Sequence, residues 1–290
     1  MKKATIILLT VSIGISINVN ALKRVKLKPA AFLNKEINES SALVKSKNQK
    51  DLYWSLNDSG GEPRIFPLRI TIKDEEVTCQ KAGKSILVKG AVNTDWESMS
   101  VLSDGKLIIS DCGNNRNNRK DLAIYITKEP KPDSDETAVI INKYEVFYPD
   151  QKDFPPASMD FDCEAVFAFK DEIYFLSKNR KDAFTKLYKL ENPDQTKKNK
   201  LKLLDKFEVG SPVTGAEANA DNTKIAVLTY ENIWIFESNT DDFFNGKKYY
   251  LPITAKQCEG ICWDGEDILI TNEQCEIFRA KTSDFQEIKP

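Results

Sequence analysis

The sequence of 290 residues predicts an all-β fold, a β-propeller with five four-stranded antiparallel blades. Six blades are the alternative if one blade is degenerate. A glutamate recurs at the start of five similar segments, and strand-like runs follow each one. The glutamates are Glu39, Glu97, Glu164, Glu217 and Glu259, at spacings of 58, 67, 53 and 42 residues. Self-similarity at such a period is typical of propellers and solenoids.

Each repeat continues into further strands. The second strands are rich in β-branched and aromatic residues, and are expected at 52–56, 107–110, 173–177, 225–229 and 268–271. Third strands are expected at 64–68, 122–126, 186–190, 233–236 and 276–279, and fourth strands are less regular. Four antiparallel strands make one propeller blade. We expect residues 24–28 to supply the outer strand of the last blade and so to close the ring.

The first 21 residues resemble a secretory signal peptide, and residues 22–290 are expected to form a single propeller domain. Two lysines precede an apolar run over residues 4–17, and residues 19–21 are typical of a cleavage site. The run is short for a bilayer span, so an uncleaved anchor is the weaker alternative. We therefore expect a bacterial periplasmic or secreted protein with no membrane span in the mature chain.

Composition excludes several chemistries. The formal net charge is −2, and loss of Lys2 and Lys3 makes it −4, which argues against nucleic acid as a partner. The chain has no histidine, so histidine-based nucleophiles, general bases and zinc or iron sites are excluded. The six cysteines permit disulfide bonds in an oxidising compartment, in any of 15 connectivities.

The repeat glutamates predict an acidic mouth of the central channel. In an antiparallel blade the first strand starts where the second strand ends, so both sets of residues should share one face. Carboxylate oxygens suit Ca²⁺. The alternatives are that each glutamate accepts backbone N–H groups from the next blade, or that arginines and lysines neutralise the acids. The candidate metal ligands are Asp95, Glu97, Asp162, Glu164, Glu217 and Glu259.

Polar loops on the same face form a candidate ligand site. The loop at 57–61 also fits a simple turn. The tryptophans fit core packing, with Trp96 as the exception because it lies between two acids. The candidate ligand-binding residues are Asn57, Asp58, Trp96, Asp111, Asn114, Asn115, Arg116, Arg119, Lys178, Arg180, Tyr230 and Glu273.

The order of these motifs resembles a family of exported bacterial β-propellers. The motifs are Asn-Asp-Ser-Gly-Gly at 57–61, Asp-Trp-Glu at 95–97, Asp-Cys-Gly-Asn-Asn-Arg at 111–116 and Asp-Cys-Glu-Ala at 162–165. The family is distantly similar to phytase-like and esterase-like propellers, which implies a calcium-containing channel. The chain departs from the family pattern at Asn114 and Glu217, where aspartate is common, and the first departure weakens a catalytic interpretation.

Two functions are consistent with these residues. The first is a binding or scaffold protein for an unidentified small-molecule or protein ligand, with a calcium ion as its expected cofactor. The second is a metal-dependent phosphoesterase or esterase-like hydrolase, in which a cation polarises the substrate and a carboxylate acts as general base. No nucleophile motif supports the second, and the sequence does not determine the oligomeric state.

Overall fold

The computed structural model describes residues 22–133 and 136–289. Within these residues there is no α-helix, and the two 3₁₀ turns lie at Phe243–Asn245 and Thr282–Asp284. None of the described helical segments could span a membrane. The segment interpreted as a signal peptide, residues 1–21, lies outside the described residues. The all-β prediction is confirmed.

Strands occur throughout the described part of the chain. Those before residue 130 are β1 (Val25–Lys26), β2 (Ala31–Phe32), β3 (Ser40–Lys45), β4 (Leu52–Asn57), β5 (Arg64–Lys73), β6 (Glu76–Lys81), β7 (Ile86–Lys89), β8 (Ser98–Val101), β9 (Leu107–Asp111) and β10 (Ala123–Thr127). Those after it are β11 (Thr137–Phe147), β12 (Asp162–Phe169), β13 (Glu172–Lys178), β14 (Phe184–Leu190), β15 (Asn199–Lys200), β16 (Lys202–Glu208), β17 (Val213–Ala218), β18 (Lys224–Thr229), β19 (Asn232–Glu237), β20 (Lys247–Thr254), β21 (Cys258–Asp264), β22 (Asp267–Asn272), β23 (Glu276–Lys281) and β24 (Gln286–Ile288).

Most strands pair antiparallel with their neighbours in sequence. A ten-stranded sheet contains the runs β3-β4-β5-β7 and β8-β9-β10-β11, which a parallel pairing of β7 with β11 joins. The orders β12-β13-β14-β16 and β2-β23-β22-β21 form two four-stranded sheets. The fourth sheet contains β17-β18-β19-β20, with β1 and β24 on its outer strand.

The first strands of these runs contact one another in a closed ring. In order around the ring they are β3, β8, β12, β17 and β21, and β21 contacts β3 again. Antiparallel sheets arranged radially around such a ring form a propeller-like fold. One mouth of the central channel is therefore built from the starts of these strands and the opposite mouth from their ends.

The N-terminal segment joins the ring differently from the prediction. Residues 24–28 do not complete the last sheet, because β1 pairs in parallel with β20. It is β2 that pairs with β23. The physical reason is the position of Leu27, which is buried in one core cluster with Ile253 and Phe278 and so fixes the segment between two sheets.

The hydrophobic core lies between neighbouring sheets. Because side chains alternate along a strand, one strand can serve two core clusters. In β18, Ile225 and Val227 pack in the cluster shared with the sheet of β12, whereas Ala226 and Leu228 pack in the cluster shared with the sheet of β21. Inner strands such as β18 are therefore continuous apolar runs in the sequence.

The six cysteines are free thiols in this structure. Four of them, Cys112, Cys163, Cys258 and Cys262, are buried. Burial raises the pKa of Cys112 to about 12. At neutral pH the thiol therefore stays protonated and is a poor nucleophile. The cysteines therefore contribute apolar packing here.

Candidate functional site

A β-bulge at the start of the first strand positions two of the mouth glutamates. The strand register shifts between Cys163 and Ala165 and between Cys258 and Gly260. The residues inside these bulges are Glu164 and Glu259, and a bulge re-aims the extra side chain. Glu97 occupies the equivalent position just before β8, where its backbone N–H donates to Ser110 O at 3.2 Å. These three glutamates line one cavity of about 190 Å³.

Two of the five repeat glutamates do not join them. In β3 and β17 the bulge falls at Ser41 and Thr214. Glu217 follows Thr214 by three residues, so at about 3.3 Å per residue it lies about 10 Å further along the channel. It lines another cavity, and Glu39 is exposed at the rim. The predicted group of five is therefore a group of three.

The cavity at this mouth, called the upper cavity below, has polar walls. Six of the predicted ligand-binding residues reach it, together with the three glutamates. Its lining residues are Asp58, Glu97, Asn115, Glu164, Lys178, Arg180, Tyr230, Glu259 and Glu273.

One half of the upper cavity is a chain of hydrogen bonds. Lys178 Nζ lies 2.8 Å from Glu164 Oε1 and donates to the Tyr230 hydroxyl at 2.9 Å. The Tyr230 hydroxyl donates to Glu259 Oε1 at 3.2 Å. Burial raises the pKa of Glu259 to about 7 and, despite the opposing effect of Lys178, raises the pKa of Glu164 as well. Glu259 can therefore exchange a proton near neutral pH.

Arg180 closes the same half. Its Nε and NH2 atoms donate to Asp162 Oδ2 at 3.0 and 2.6 Å, and NH2 lies 3.5 Å from Glu164 Oε1. It also contacts the Asn115 side chain. Asp162 is fully buried and accepts the backbone N–H of Asn114 at 2.7 Å through its other oxygen. Asp162 therefore holds two loops together, and both its oxygens are engaged.

The other half borders an acidic group, in which Asp58 and Glu97 line the upper cavity and Asp95 lines the neighbouring one. Asp58, Asp95 and Glu97 each offer a carboxylate oxygen, and these oxygens lie within 4.8 Å of one another. Burial raises the pKa of Asp95 to about 7, and burial with the neighbouring Glu164 raises the pKa of Glu97. Among the described residues, no lysine or arginine forms an ion pair with any of the three. This triad is therefore the part of the site that could hold a metal ion.

A glycine makes room for the triad. A Cβ atom at Gly113 would lie 2.5 Å from Asp95 Cγ and 2.7 Å from Glu97 Cγ. Real Cβ atoms do not approach so closely, so the two carboxylates can approach the 111–116 loop only because residue 113 lacks a side chain.

Two predicted ligand residues are structural instead. Trp96 is fully buried in the core, and its Nε1 donates to Val92 O at 2.9 Å. Trp96 lies in the segment just before β8, and its indole packs in the core cluster of Trp54 and Tyr125. Asn57 donates to Glu36 O at 2.8 Å and does not line the upper cavity.

The remaining predicted residues support the loops around the triad. Asp111 accepts the Asp95 backbone N–H at 2.9 Å and Arg119 NH1 at 3.1 Å. Asn114 is buried and donates to Phe161 O at 3.1 Å. Arg116 is exposed and lines a neighbouring cavity of about 450 Å³ that Asp95 and Asn115 share.

Comparisons with known proteins do not identify a family. No protein-family model matches the chain, so the resemblance to exported bacterial propellers stays a prediction. A search of curated protein sequences gives no match either.

Solved structures give weak likenesses. Kuenenia stuttgartiensis hydrazine synthase matches with 10% identity and a TM-score of 0.46, over 84% of this chain and 72% of that one. Virginiamycin B lyase from Staphylococcus aureus matches with 17% identity and a TM-score of 0.41, over 83% of this chain and 65% of that one. A mitotic checkpoint complex chain matches with 12% identity and a TM-score of 0.40, over 87% of this chain and 64% of that one. The fold assignment therefore depends on the strand pairing and ring closure of the chain itself.

Proposed function

We propose that this chain is an exported five-bladed β-propeller that binds a ligand at the upper cavity through a calcium ion held by Asp58, Asp95 and Glu97. The ring of five first strands supports the blade count. Antiparallel runs of four strands support the blade size, with β2 as the outer strand of the last blade. The leader-like residues 1–21 support export.

The pattern of charge pairing carries the proposal. Asp111, Asp162 and Glu164 each have an arginine or lysine partner within 3.1 Å. The three carboxylates of the triad have no such partner among the described residues, although they lie closer to one another than isolated anions would. The raised pKa values of Asp95 and Glu97 reflect burial together with this repulsion, and a bound divalent cation would remove the repulsion with the carboxylates ionised. Ca²⁺ accepts carboxylate and amide oxygens together with water, in a flexible geometry.

The ligand should carry oxygen anions. Ca²⁺ takes six to eight oxygen ligands, so the triad leaves coordination positions for water and for a ligand. Across the cavity, the Arg180 side chain is 33% exposed and lines the same space. A carboxylate or phosphate group would therefore bridge the ion and the Arg180 guanidinium.

Calorimetric titration of the purified mature chain with CaCl₂, after treatment with a chelator, tests the proposal. We expect one site per chain and at least a tenfold loss of affinity in Asp58→Asn and Glu97→Gln. Glu287→Gln, an exposed glutamate in β24, is the matched control and should bind as the wild type does. Absence of binding at millimolar Ca²⁺, or affinity that the two triad variants leave unchanged, would refute the calcium site.

One observation favours hydrolysis as a second candidate function. Glu259 has its pKa raised to about 7 and lies on the wall opposite the triad. A carboxyl group that titrates near neutral pH is suited to general acid–base catalysis. Calcium-dependent cleavage of p-nitrophenyl phosphate or acetate, lost in Glu259→Gln while Ca²⁺ binding persists, would support a hydrolase. Stoichiometric Ca²⁺ without turnover would leave the binding function.

A further inference from the structure

The opposite mouth of the channel contains a second cavity, called the lower cavity below. Its volume is about 470 Å³, and it is bordered by the ends of β3, β8, β17 and β21. Most of its wall is apolar. The residues that matter to its chemistry are Lys47, Val101, Glu217, Ala218, Cys262 and Trp263. Its volume falls in the range of about 300–1,000 Å³ that small-molecule sites occupy.

Glu217 supplies the buried carboxyl group of this cavity. The residue is only 6% exposed. The one hydrogen-bond donor to its carboxylate among the described residues is the Ser100 hydroxyl, at 3.4 Å from Oε1 and 3.3 Å from Oε2. One hydroxyl proton cannot satisfy two oxygens, and a carboxylate has about four acceptor positions. Buried carboxylates of this kind are normally paired or fully hydrogen-bonded.

Trp263 is fixed to the backbone of the same residue, Glu217. Its Nε1 donates to Glu217 O at 3.0 Å, so the indole position is coupled to the backbone of the acid. Its ring lines the cavity, as do Val101 and Ala218. An indole attracts a cation over its face, and the apolar neighbours favour an alkyl group.

We propose that the lower cavity binds a small alkylammonium ion, with Glu217 as its counter-ion and with the Trp263 indole and the apolar wall around its alkyl chain. A metal ion fits less well, because hard cations need several oxygen ligands and this wall offers one carboxylate. The proposal concerns the mouth opposite the upper cavity and does not depend on calcium there.

Other charges face the same space. Lys45 forms an ion pair with Asp264, so its charge is compensated. Lys47 is exposed at the mouth, and its positive charge interacts with Glu217. Lys47 should therefore repel a cationic ligand. Cys262 is buried, and burial with the Glu217 charge raises the pKa of its thiol, which therefore stays neutral. Burial raises the pKa of Glu217 to about 8, so binding of a cation at pH 7 should release a proton.

Calorimetric titration with n-butylammonium chloride tests the proposal, and n-butanol serves as the neutral probe of the same shape. At pH 8.5 we expect the ammonium ion to bind at least tenfold more tightly than the alcohol. Glu217→Gln should remove this preference, and Glu287→Gln should keep it. At pH 7 the observed enthalpy should vary with the ionisation enthalpy of the buffer, because a proton is released.

A second variant tests the proposal even if Glu217→Gln fails to fold. Lys47→Ala changes an exposed residue and should strengthen ammonium binding about threefold or more, since a like charge is removed. Equal binding of the alcohol and the ammonium ion, no binding at 100 mM probe, or full ammonium affinity in Glu217→Gln would each overturn the proposal. The calcium titration is unaffected by these outcomes, so the two sites stand or fall separately.

Discussion

Lys178 and Glu164 form an ion pair that is almost inaccessible to solvent, with Nζ 2.8 Å from Oε1 and side-chain exposures of 5% and 3%. This pair divides the upper cavity. On its side Lys178 and Arg180 compensate the charge of Glu164, whereas Asp58, Asp95 and Glu97 have no lysine or arginine partner among the described residues. The triad is therefore the place at this mouth where an external cation would meet three closely spaced carboxylates without a cationic partner.

Removal of the lysine should destabilise the fold strongly. Lys178→Met leaves the buried Glu164 carboxylate with only the longer Arg180 contact at 3.5 Å, and breaking a buried ion pair typically costs about 3–5 kcal/mol. Adding Glu164→Gln should restore much of the loss. Urea denaturation of the single and double variants measures both. The exposed pair of Lys202 and Glu191 is the control, and Lys202→Met should cost less than about 1 kcal/mol. Equal losses at the two positions would contradict this account.

Calcium should stabilise the wild type more than it stabilises the Asp95→Asn variant. At a Ca²⁺ concentration about 100 times its Kd, the free energy of unfolding should rise by about 2.7 kcal/mol, and a chelator should reverse the gain. Asp95→Asn removes repulsion within the triad. Without Ca²⁺ this variant should be at least as stable as the wild type, and Ca²⁺ should stabilise it much less. Thermal unfolding with and without Ca²⁺ checks this crossing pattern.

The sequence predicted the inner strands well because both of their faces are buried. Continuous apolar runs such as β18 carry that signal. The sequence failed where the position of one residue depends on a bulge. The bulged position of β17 is Thr214, so Glu217 points into the lower cavity although it follows the repeat pattern. The spacing of glutamates cannot show a bulge, because the bulge is defined by the partner strand.

The acidic triad was only partly accessible to sequence reasoning. Asp95 and Glu97 were expected as metal ligands, but Asp58 was expected only as a ligand-binding residue, in a loop that also fits a simple turn. Its proximity to the other two depends on contact between two runs of the ring. Trp96 was expected at the mouth from its acidic neighbours, yet its indole is buried in the core with Trp54 and Tyr125.

Glu217 should make stability depend on pH. Its pKa is about 8 in the folded chain and about 4.5 in the unfolded chain. Between these values the folded state holds a proton that the unfolded state has released, so stability falls as the pH rises from 4.5 toward 8. At about 1.4 kcal/mol per pKa unit, the change amounts to a few kcal/mol. Glu217→Gln cannot ionise and should remove this part of the slope.

Denaturation of the two proteins at pH 5, 6.5 and 8 measures that difference. The variant should gain on the wild type as the pH rises, and the gain should be largest at pH 8. Glu287→Gln changes an exposed acid and should follow the wild type throughout. Parallel curves for the wild type and Glu217→Gln would show that the carboxyl group titrates normally.

Gly113→Ala should disrupt the calcium site through geometry alone. The new methyl group would lie 2.5 Å from Asp95 Cγ and 2.7 Å from Glu97 Cγ, so one or both carboxylates must move away from the triad. We expect at least a tenfold loss of Ca²⁺ affinity with no change in the charge of the chain. Overpacking of this size also costs about 1–3 kcal/mol of stability.

Gly61→Ala provides the matched control for that substitution. A Cβ atom at Gly61 meets nothing within 4 Å, and the residue lies in the loop that follows β4, near Asp58. Its Ca²⁺ affinity and stability should stay close to those of the wild type. If both glycine variants bind Ca²⁺ like the wild type, the ion is not held where Asp95 and Glu97 meet, because a displaced ligand pair cannot retain its affinity.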